Sequence, residues 1–470
     1  MKKISGTYSK AFTIVELLIV IVIIGILAAV TLVAYAGLSN KAIVASLRSD
    51  LNSSVLKLKL FHAEKGTYPL SITDCPTPSS TNACLIASNN ATYTDYTYAS
   101  DSFSLTETAS NGTSWVVTES TSPAETVTTH VQTGQLALID TITTTAASID
   151  RIIVSNDNKS VYVANAGNNN VYMFSRDAST GLLTATSPSA IFIYSATGIA
   201  VSPDNKSVYI GATNSGGTSY FINMYNRDVN TGVLTPMSTP QIAIGANVGG
   251  LAVSPDGSSV YAGASGGPKP GIYMFSRNTS DGLLTALTPA DTGDTAYGLY
   301  GVAISPDGKF VYGADSGSYV VRMYQRDLGT GLLTLLSPAT IGAAVPRGLA
   351  MSPDGKYIYV ANYGNSRILM YGRDSVSGLL TALSPSSVSP GGKVYNVAVS
   401  PDNKYLYAPI YDGSTVSMYG IESATGLLTA LAPTSVSAGT TNRCIAISPD
   451  GKTVYVTSST SKTIQIYSTN

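Results

Sequence analysis

Residues 346–383 read PRGLAMSPDGKYIYVANYGNSRILMYGRDSVSGLLTAL, and this stretch decides the fold. Gly348–Met351 is a short apolar run, followed by the turn-forming Pro353-Asp354-Gly355. Tyr357–Val360 alternates tyrosine with aliphatic residues, as a strand with two unlike faces does, and Ile368–Tyr371 is an apolar third strand. Ser377-Gly378 makes a second turn, and Leu379–Leu383 supplies a fourth strand. The pattern recurs. Its anchor, Ser-Pro-Asp or once Ser-Asn-Asp, begins at Ser155, Ser202, Ser254, Ser305, Ser352, Ser400 and Ser448, with spacings of 47, 52, 51, 47, 48 and 48 residues. A period near fifty with four strands per unit predicts a β-propeller. Seven residues after each anchor serine stands a tyrosine: Tyr162, Tyr209, Tyr261, Tyr312, Tyr359, Tyr407 and Tyr455. Six of the nine methionines share one slot, at Met173, Met224, Met274, Met323, Met370 and Met418. Slots this regular read as core. The last copy ends after its third strand, and Gly134–Leu138 has the form of the absent fourth. An all-β propeller of seven blades over residues 133–470, closed by that N-terminal outer strand, is therefore expected.

Composition agrees. Of 470 residues 44% are hydrophobic and 12% charged, with 43 Gly, 30 Tyr and a net charge of −1. Such a chain is neither disordered nor a polyanion binder by bulk charge, so no nucleic acid is expected as partner. Three cysteines in this length make no disulfide scaffold.

The N-terminus is different. Met1–Ala11 carries Lys2, Lys3 and Lys10 and no acid, and Phe12–Ala36 is almost wholly apolar. As a helix this run is about 35 Å long, enough to cross a bilayer, with the lysines on the cytoplasmic side. Glu16 is a charge inside the span, which is costly and calls for a partner. Val44, Leu47, Leu51, Val55, Leu58 and His62 continue at helical spacing until Gly66 and Pro69. Tyr93–Tyr98, Phe103–Thr106 and Trp115–Thr118 then read as strands. The expected organisation is a leader over 1–11, a long helix with a small α+β head over 12–118, a Ser/Thr/Pro-containing linker over 119–132, and the propeller. Cys75 and Cys84 lie in a Pro/Ser/Thr-rich loop of the head and are candidates for an extracellular disulfide.

The string Ala11-Phe12-Thr13-Ile14-Val15-Glu16-Leu17 resembles the prepilin motif of type IV pilins and pseudopilins. The resemblance implies cleavage between Ala11 and Phe12 by a prepilin peptidase, which methylates the new amine. It also implies that Glu16 pairs with the terminal amine of a neighbouring subunit in a filament. This chain has Ala11 where the family usually has glycine, and Val33 where it often has proline. The implied partners are other pilin subunits, with the inner membrane holding the protein before assembly and the cell surface after it.

Tyr162-Val163-Ala164-Asn165 and Tyr359-Val360-Ala361-Asn362, with their Ser-Pro-Asp-Gly turns, resemble the YVTN and lactonase-type seven-bladed propellers. Active members of that family place His, Arg and Glu around the central channel, some in a Pro-Arg-His string. Here that string is Pro346-Arg347-Gly348, Asn362 is followed by Tyr363, and the chain's two histidines, His62 and His130, lie outside the repeats. Glu422 is the single glutamate of the repeats and stands beside a turn. No catalytic residue, cofactor or metal site is expected.

Antiparallel order puts the Ser-Pro-Asp-Gly and Thr-Gly turns on one face of the disc and the more variable loops on the other. At the variable face the inner strands begin with Asp150, Thr197, Gly249, Tyr300, Arg347, Tyr395 and Arg443. Of these, Asp150, Tyr300, Arg347, Tyr395 and Arg443 are candidates to bind a glycan or a protein. The expected function is adhesion by a minor or tip subunit of a pilus-type filament. The alternatives are a pseudopilin of a secretion or DNA-uptake machine and a surface-tethered lactonase-like enzyme.

Overall fold

In a computed structural model of the chain, the described residues are 54, 58, 62, 92–99, 102–108, 114–118, 128–129, 134–144, 148–266, 269–293 and 296–469. The chain divides into two compact units, Met1–Val131 and Gln132–Asn470.

In the first unit, Thr92–Ala99, Ser102–Thr108, Ser114–Thr118 and Thr128–Thr129 form an antiparallel sheet in that order. The fourth strand falls inside the stretch expected as linker. Ser54, Leu58 and His62 are helical, and Ser54 and Leu58 are buried. The rest of the expected helix, with Ala11, Phe12 and Glu16, lies outside the described residues, as do Cys75 and Cys84.

The second unit is a ring of seven four-stranded antiparallel sheets. Numbered along the chain, the blades span Ile149–Phe192, Ile199–Ile244, Asn247–Asp291, Leu299–Gly342, Pro346–Val388, Ala398–Ser437 and Asn442–Thr469. Leu136–Thr143 pairs with Thr463–Thr469 as the outer strand of blade 7, so the ring closes as expected. Closure covers the edge of Thr463–Thr469, which would otherwise be open to pairing with another chain. In blade 5 the outer strand runs Leu380–Val388, beyond the expected Leu383, and carries Pro385. An outermost strand tolerates proline because its outward N–H groups need no ladder partner.

The core lies between blades rather than within them. Seven buried clusters each join residues of two neighbouring blades, and Tyr162, Val171 and Met173 of blade 1, for example, pack with Ile199, Val208 and Leu234 of blade 2. All seven tyrosines of the repeated slot are 0% exposed, which settles that slot as core.

A second repeated device binds the blades. Tyr162 Oη donates to the Gly232 carbonyl of blade 2 (2.7 Å) and accepts from Arg227 Nε (2.9 Å). Arg227 also reaches the anchor carboxylate of blade 1, Asp157, at 2.9 Å. The same clamp joins Arg277 to Asp204, Arg326 to Asp256, Arg373 to Asp307 and Arg176 to Asp450, at 2.8–3.0 Å. The two remaining junctions differ. Ile421 holds the arginine position between blades 5 and 6, and Thr469 holds it between blades 6 and 7.

Burial raises the pKa of the anchor carboxylates Asp157, Asp204, Asp256 and Asp307. Hydrogen bonds from the anchor serines, the backbone and the arginines outweigh it, so each ends below its ordinary value, Asp256 at about 2. Between about pH 2 and 4 the unfolded chain therefore binds more protons than the ring does, and stability falls as acid is added through that window. At the other end, burial pushes Tyr312 and Tyr419 up to about 12. Their contribution is complete below pH 10 and declines above it, because the unfolded chain then releases protons that the ring retains. Denaturant midpoints measured across pH should form a plateau bounded by these two slopes. A profile still flat below pH 3 would refute the acid limb.

Candidate functional site

The inner strands of the seven blades converge on the axis, and their first residues form the channel mouth. Of the five candidates, Asp150, Tyr300, Tyr395 and Arg443 line one cavity of about 160 Å³, together with Thr197 and Asn247. Arg347, the fifth, lies beside it with its guanidinium carbon 3.9 Å from the centre of the Tyr300 ring. The structure thus brings all five together. Gly249 completes the wall; a Cβ there would stand 2.3 Å from the Leu299 carbonyl oxygen, so only glycine lets blades 3 and 4 approach this closely.

Below the mouth the channel is barred. Arg151 of blade 1 reaches across and donates from Nη2 to the carbonyls of Gly249 (2.8 Å) and Tyr300 (2.7 Å). A second cavity of about 180 Å³, lined in part by Arg151, Asn396 and Cys444, lies deeper. Cys444 is 2% exposed and accepts a contact from Asn396 Nδ2 at 3.1 Å, a small buried residue as its isolated position in the sequence suggests.

Asp150 and Arg443 form an ion pair across the junction of blades 7 and 1. Burial dominates at Asp150 and raises its pKa, although Arg443 pulls the other way. Burial would lower the pKa of Arg443, but Asp150 outweighs it and the guanidinium is held above its ordinary value. Arg443 Nε and Asn247 Oδ1 are buried without a hydrogen-bond partner in the protein, so a donor and an acceptor remain at the mouth.

Three residues at this mouth were missed in the sequence. The Tyr363 and Tyr411 rings lie 5.2 and 4.9 Å from that of Tyr395, and Lys393 Nζ sits 5.0 Å over Tyr363. Arg347 and Arg443 stand 5.3 and 5.6 Å from the Tyr395 ring. Three tyrosines interleaved with three cations form an amphipathic wall on blades 5 to 7. The signal for the two tyrosines was their place eleven residues after the anchor serines of blades 5 and 6, where the other copies have Ala, Ser or Thr.

The chemistry available is limited. Among the described residues Asp150 is the one carboxylate lining the mouth cavity and no histidine lines it, and Asp150 is committed to Arg443. Such a wall can stack sugar faces, take cation–π contacts and donate to oxygen atoms. Among the described residues no group of three or more His, Cys, Asp or Glu is placed to hold a metal ion.

Comparisons with known proteins agree with this architecture. Residues 7–32 match the prokaryotic N-terminal methylation motif. No curated protein matches the chain. Among solved structures, a putative 6-phosphogluconolactonase from Bacteroides uniformis is similar with a TM-score of 0.55 at 21% identity, covering 68% of this chain and 91% of that one. A periplasmic gluconolactonase from Pseudomonas aeruginosa gives 0.53 at 17% identity, covering 72% and 92%. The hydrazine synthase of Kuenenia stuttgartiensis gives 0.53 at 20% identity, covering 70% and 97%. At these identities the likeness is one of fold. The model of the lactonase, 7-bladed beta-propeller family matches residues 105–243, 291–395 and 392–470, and the chain belongs to that family.

Proposed function

We propose that this protein is a pilin-like subunit that displays a ligand-binding propeller on a type IV pilus-type filament. The observation that carries the reading is the methylation motif at residues 7–32 on the same chain as a seven-bladed propeller. The motif supports processing by a prepilin peptidase, assembly with other pilin subunits, and passage from the inner membrane to the cell surface. A bulky propeller on every subunit crowds a shaft, which favours a minor or tip position. The mouth of Tyr300, Tyr363, Tyr395, Arg347 and Arg443 favours a glycan or protein as ligand, with adhesion as the outcome. Imaging filaments with labelled propeller tests the reading. Label at tips or along filaments supports it, and label confined to the membrane favours a secretion or DNA-uptake pseudopilin.

Truncating Tyr395 to alanine removes the ring that touches both arginines and both neighbouring tyrosines. We expect Tyr395→Ala to weaken ligand or cell-surface binding about thirtyfold, the scale of a hot-spot aromatic. Unchanged binding would move the site away from the mouth.

The lactonase-like alternative has one specific support, the raised pKa of Asp150 beside arginines in a cleft. It needs a base free to activate water, and Asp150 is already paired. The purified full-length protein should leave simple lactones unhydrolysed. Turnover that disappears in Asp150→Asn and Arg347→Ala would establish the enzyme instead.

A further inference from the structure

The clamp between blades has a vacant copy. In the five complete clamps an arginine at the end of the third strand lays its guanidinium on the preceding blade. It donates to the slot tyrosine hydroxyl and to the anchor aspartate, as Arg277 does to Tyr209 (2.8 Å) and Asp204 (2.8 Å). Its Nη1 donates to a turn carbonyl of its own blade, Gly257 in that case (3.2 Å).

Between blades 6 and 7 the anchor serine, the anchor aspartate and the slot tyrosine are present, and among the described residues no arginine meets them. Ser400, Asp402, Tyr405, Tyr407 and Asp450 line a cavity of about 260 Å³. Tyr407 is 0% exposed, and its hydroxyl is buried with no hydrogen-bond partner. In the six other copies that hydroxyl donates to a glycine carbonyl of the next blade. Asp402 is oriented as its counterparts are, with Ser400 Oγ donating to Oδ1 at 2.5 Å. Its Oδ2, the oxygen that the arginine takes in the complete clamps, has Lys404 Nζ only at 3.9 Å, and both side chains are well exposed. Thr469 stands where the arginine would begin, and its Oγ1 takes the Gly451 carbonyl (2.8 Å) that an arginine Nη1 would take. The junction of blades 5 and 6 also lacks the arginine, but Ile421 packs there against the apolar cluster, and Tyr359 keeps its bond to Gly426.

We propose that this slot takes a guanidinium group from outside the ring, as an arginine side chain presented by another polypeptide. The charge, the orphaned hydroxyl and the preset carboxylate together make the guanidinium site that five sister junctions fill from within. A lysine fits it poorly. Its ammonium is a point charge and cannot reach tyrosine and aspartate in one plane, as the arginine fork does. The slot opens on the face of the anchor turns and is independent of the channel mouth and of what the mouth binds.

The test uses full-length protein in detergent, a Gly-Arg-Gly peptide with blocked ends, its lysine counterpart, and methylguanidine. The arginine peptide should raise the unfolding temperature saturably, and the lysine peptide should require at least about tenfold higher concentration for the same rise. Asp402→Asn and Tyr407→Phe should each weaken the arginine effect about tenfold or more. Thr469→Arg should raise the unfolding temperature without peptide and abolish the response to it, because the slot is then filled from within. No saturable response to the arginine peptide, an equal response to lysine, or a response that survives Thr469→Arg would overturn the proposal. Methylguanidine binding as tightly as the peptide would overturn the polypeptide source.

Discussion

Arg227→Ala should lower the stability of the propeller by about 3 kcal/mol, the lower end of the cost of removing one partner from a buried ion pair. The side chain of Arg227 is 0% exposed, and it serves Asp157, Tyr162, Ser155 and Ser160 of blade 1 at once. Alanine leaves the Tyr162 hydroxyl without its donor and the Asp157 carboxylate without its counter-charge. Water can relieve part of this, because the Asp157 side chain is 21% exposed, which is why the lower end applies. Arg227→Lys keeps the charge and loses the fork, so it should fall between the wild type and alanine. Arg373→Ala should cost less, since Asp307 is 34% exposed and already shares its charge with solvent. Denaturant midpoints of the three variants give the order directly. A loss below about 0.5 kcal/mol for Arg227→Ala, the scatter of ordinary surface changes, would show that the clamp does not hold the blades.

The clamp was legible in the sequence but not read there, and the reason is geometric. Anchors and tyrosines keep a fixed offset because a tight turn of constant length joins the first two strands. The arginines do not keep that offset, since the loops between second and third strands differ in length. Measured from the methionine slot the offset is constant: Arg176, Arg227, Arg277, Arg326 and Arg373 each follow their methionine by three residues. Taken singly, an Arg-Asp pair before a Thr-Gly turn reads as solvated turn polarity. Only the neighbouring blade, about fifty residues away in sequence, gives the arginine its acceptor. The mouth has the same character. Its five inner-strand positions could be read because strand order alone brings strand starts to the axis. Tyr363 and Tyr411 keep one offset from their anchors and are legible once the copies are aligned, whereas Lys393 is not, because it comes from a connection between blades whose path no repeat dictates. The outer strand of blade 5 was read too short for a third reason, since Pro385 looks like a terminator but is harmless on an edge.

These two layers are unevenly shared around the ring. The tyrosine and cation wall lies on blades 5 to 7, and the two junctions without an arginine are those between these same blades. Blades 1 to 5 are tied in series by Arg227, Arg277, Arg326 and Arg373, and Arg176 ties blade 1 back to blade 7. Cohesion at the two open junctions rests on their apolar clusters and on the closing strand. The face-to-face division of labour in this fold, constant turns on one side and divergent loops on the other, thus has a counterpart around the circumference.

Glu16→Ala should abolish incorporation into filaments while leaving the protein made, processed and membrane-bound. On the pilin-like reading Glu16 is the fifth residue after the cut between Ala11 and Phe12, and it lies inside an apolar run from Phe12 to Ala36. A carboxylate in such a run costs roughly 2.5 kcal/mol or more on insertion, so alanine makes the segment easier to hold in the membrane, not harder. The loss must therefore appear at the next step, where a subunit leaves the bilayer for the filament. There the Glu16 carboxylate would meet the methylated amine of a neighbour's Phe12 in a low-dielectric environment, and one charge without the other is strongly disfavoured. Alanine leaves that amine uncompensated in the bundle. Glu16→Gln has the same shape and no charge, and should fail nearly as completely, which separates charge pairing from packing. Cleavage is read from the mass of the mature N-terminus, and incorporation from label in sheared filaments. Glu16→Ala subunits that assemble at wild-type levels would refute the pairing mechanism. Uncleaved Glu16→Ala accumulating in the membrane would instead place Glu16 in recognition by the peptidase. Normal assembly of Glu16→Gln together with failure of Glu16→Ala would assign the position to hydrogen bonding rather than to charge.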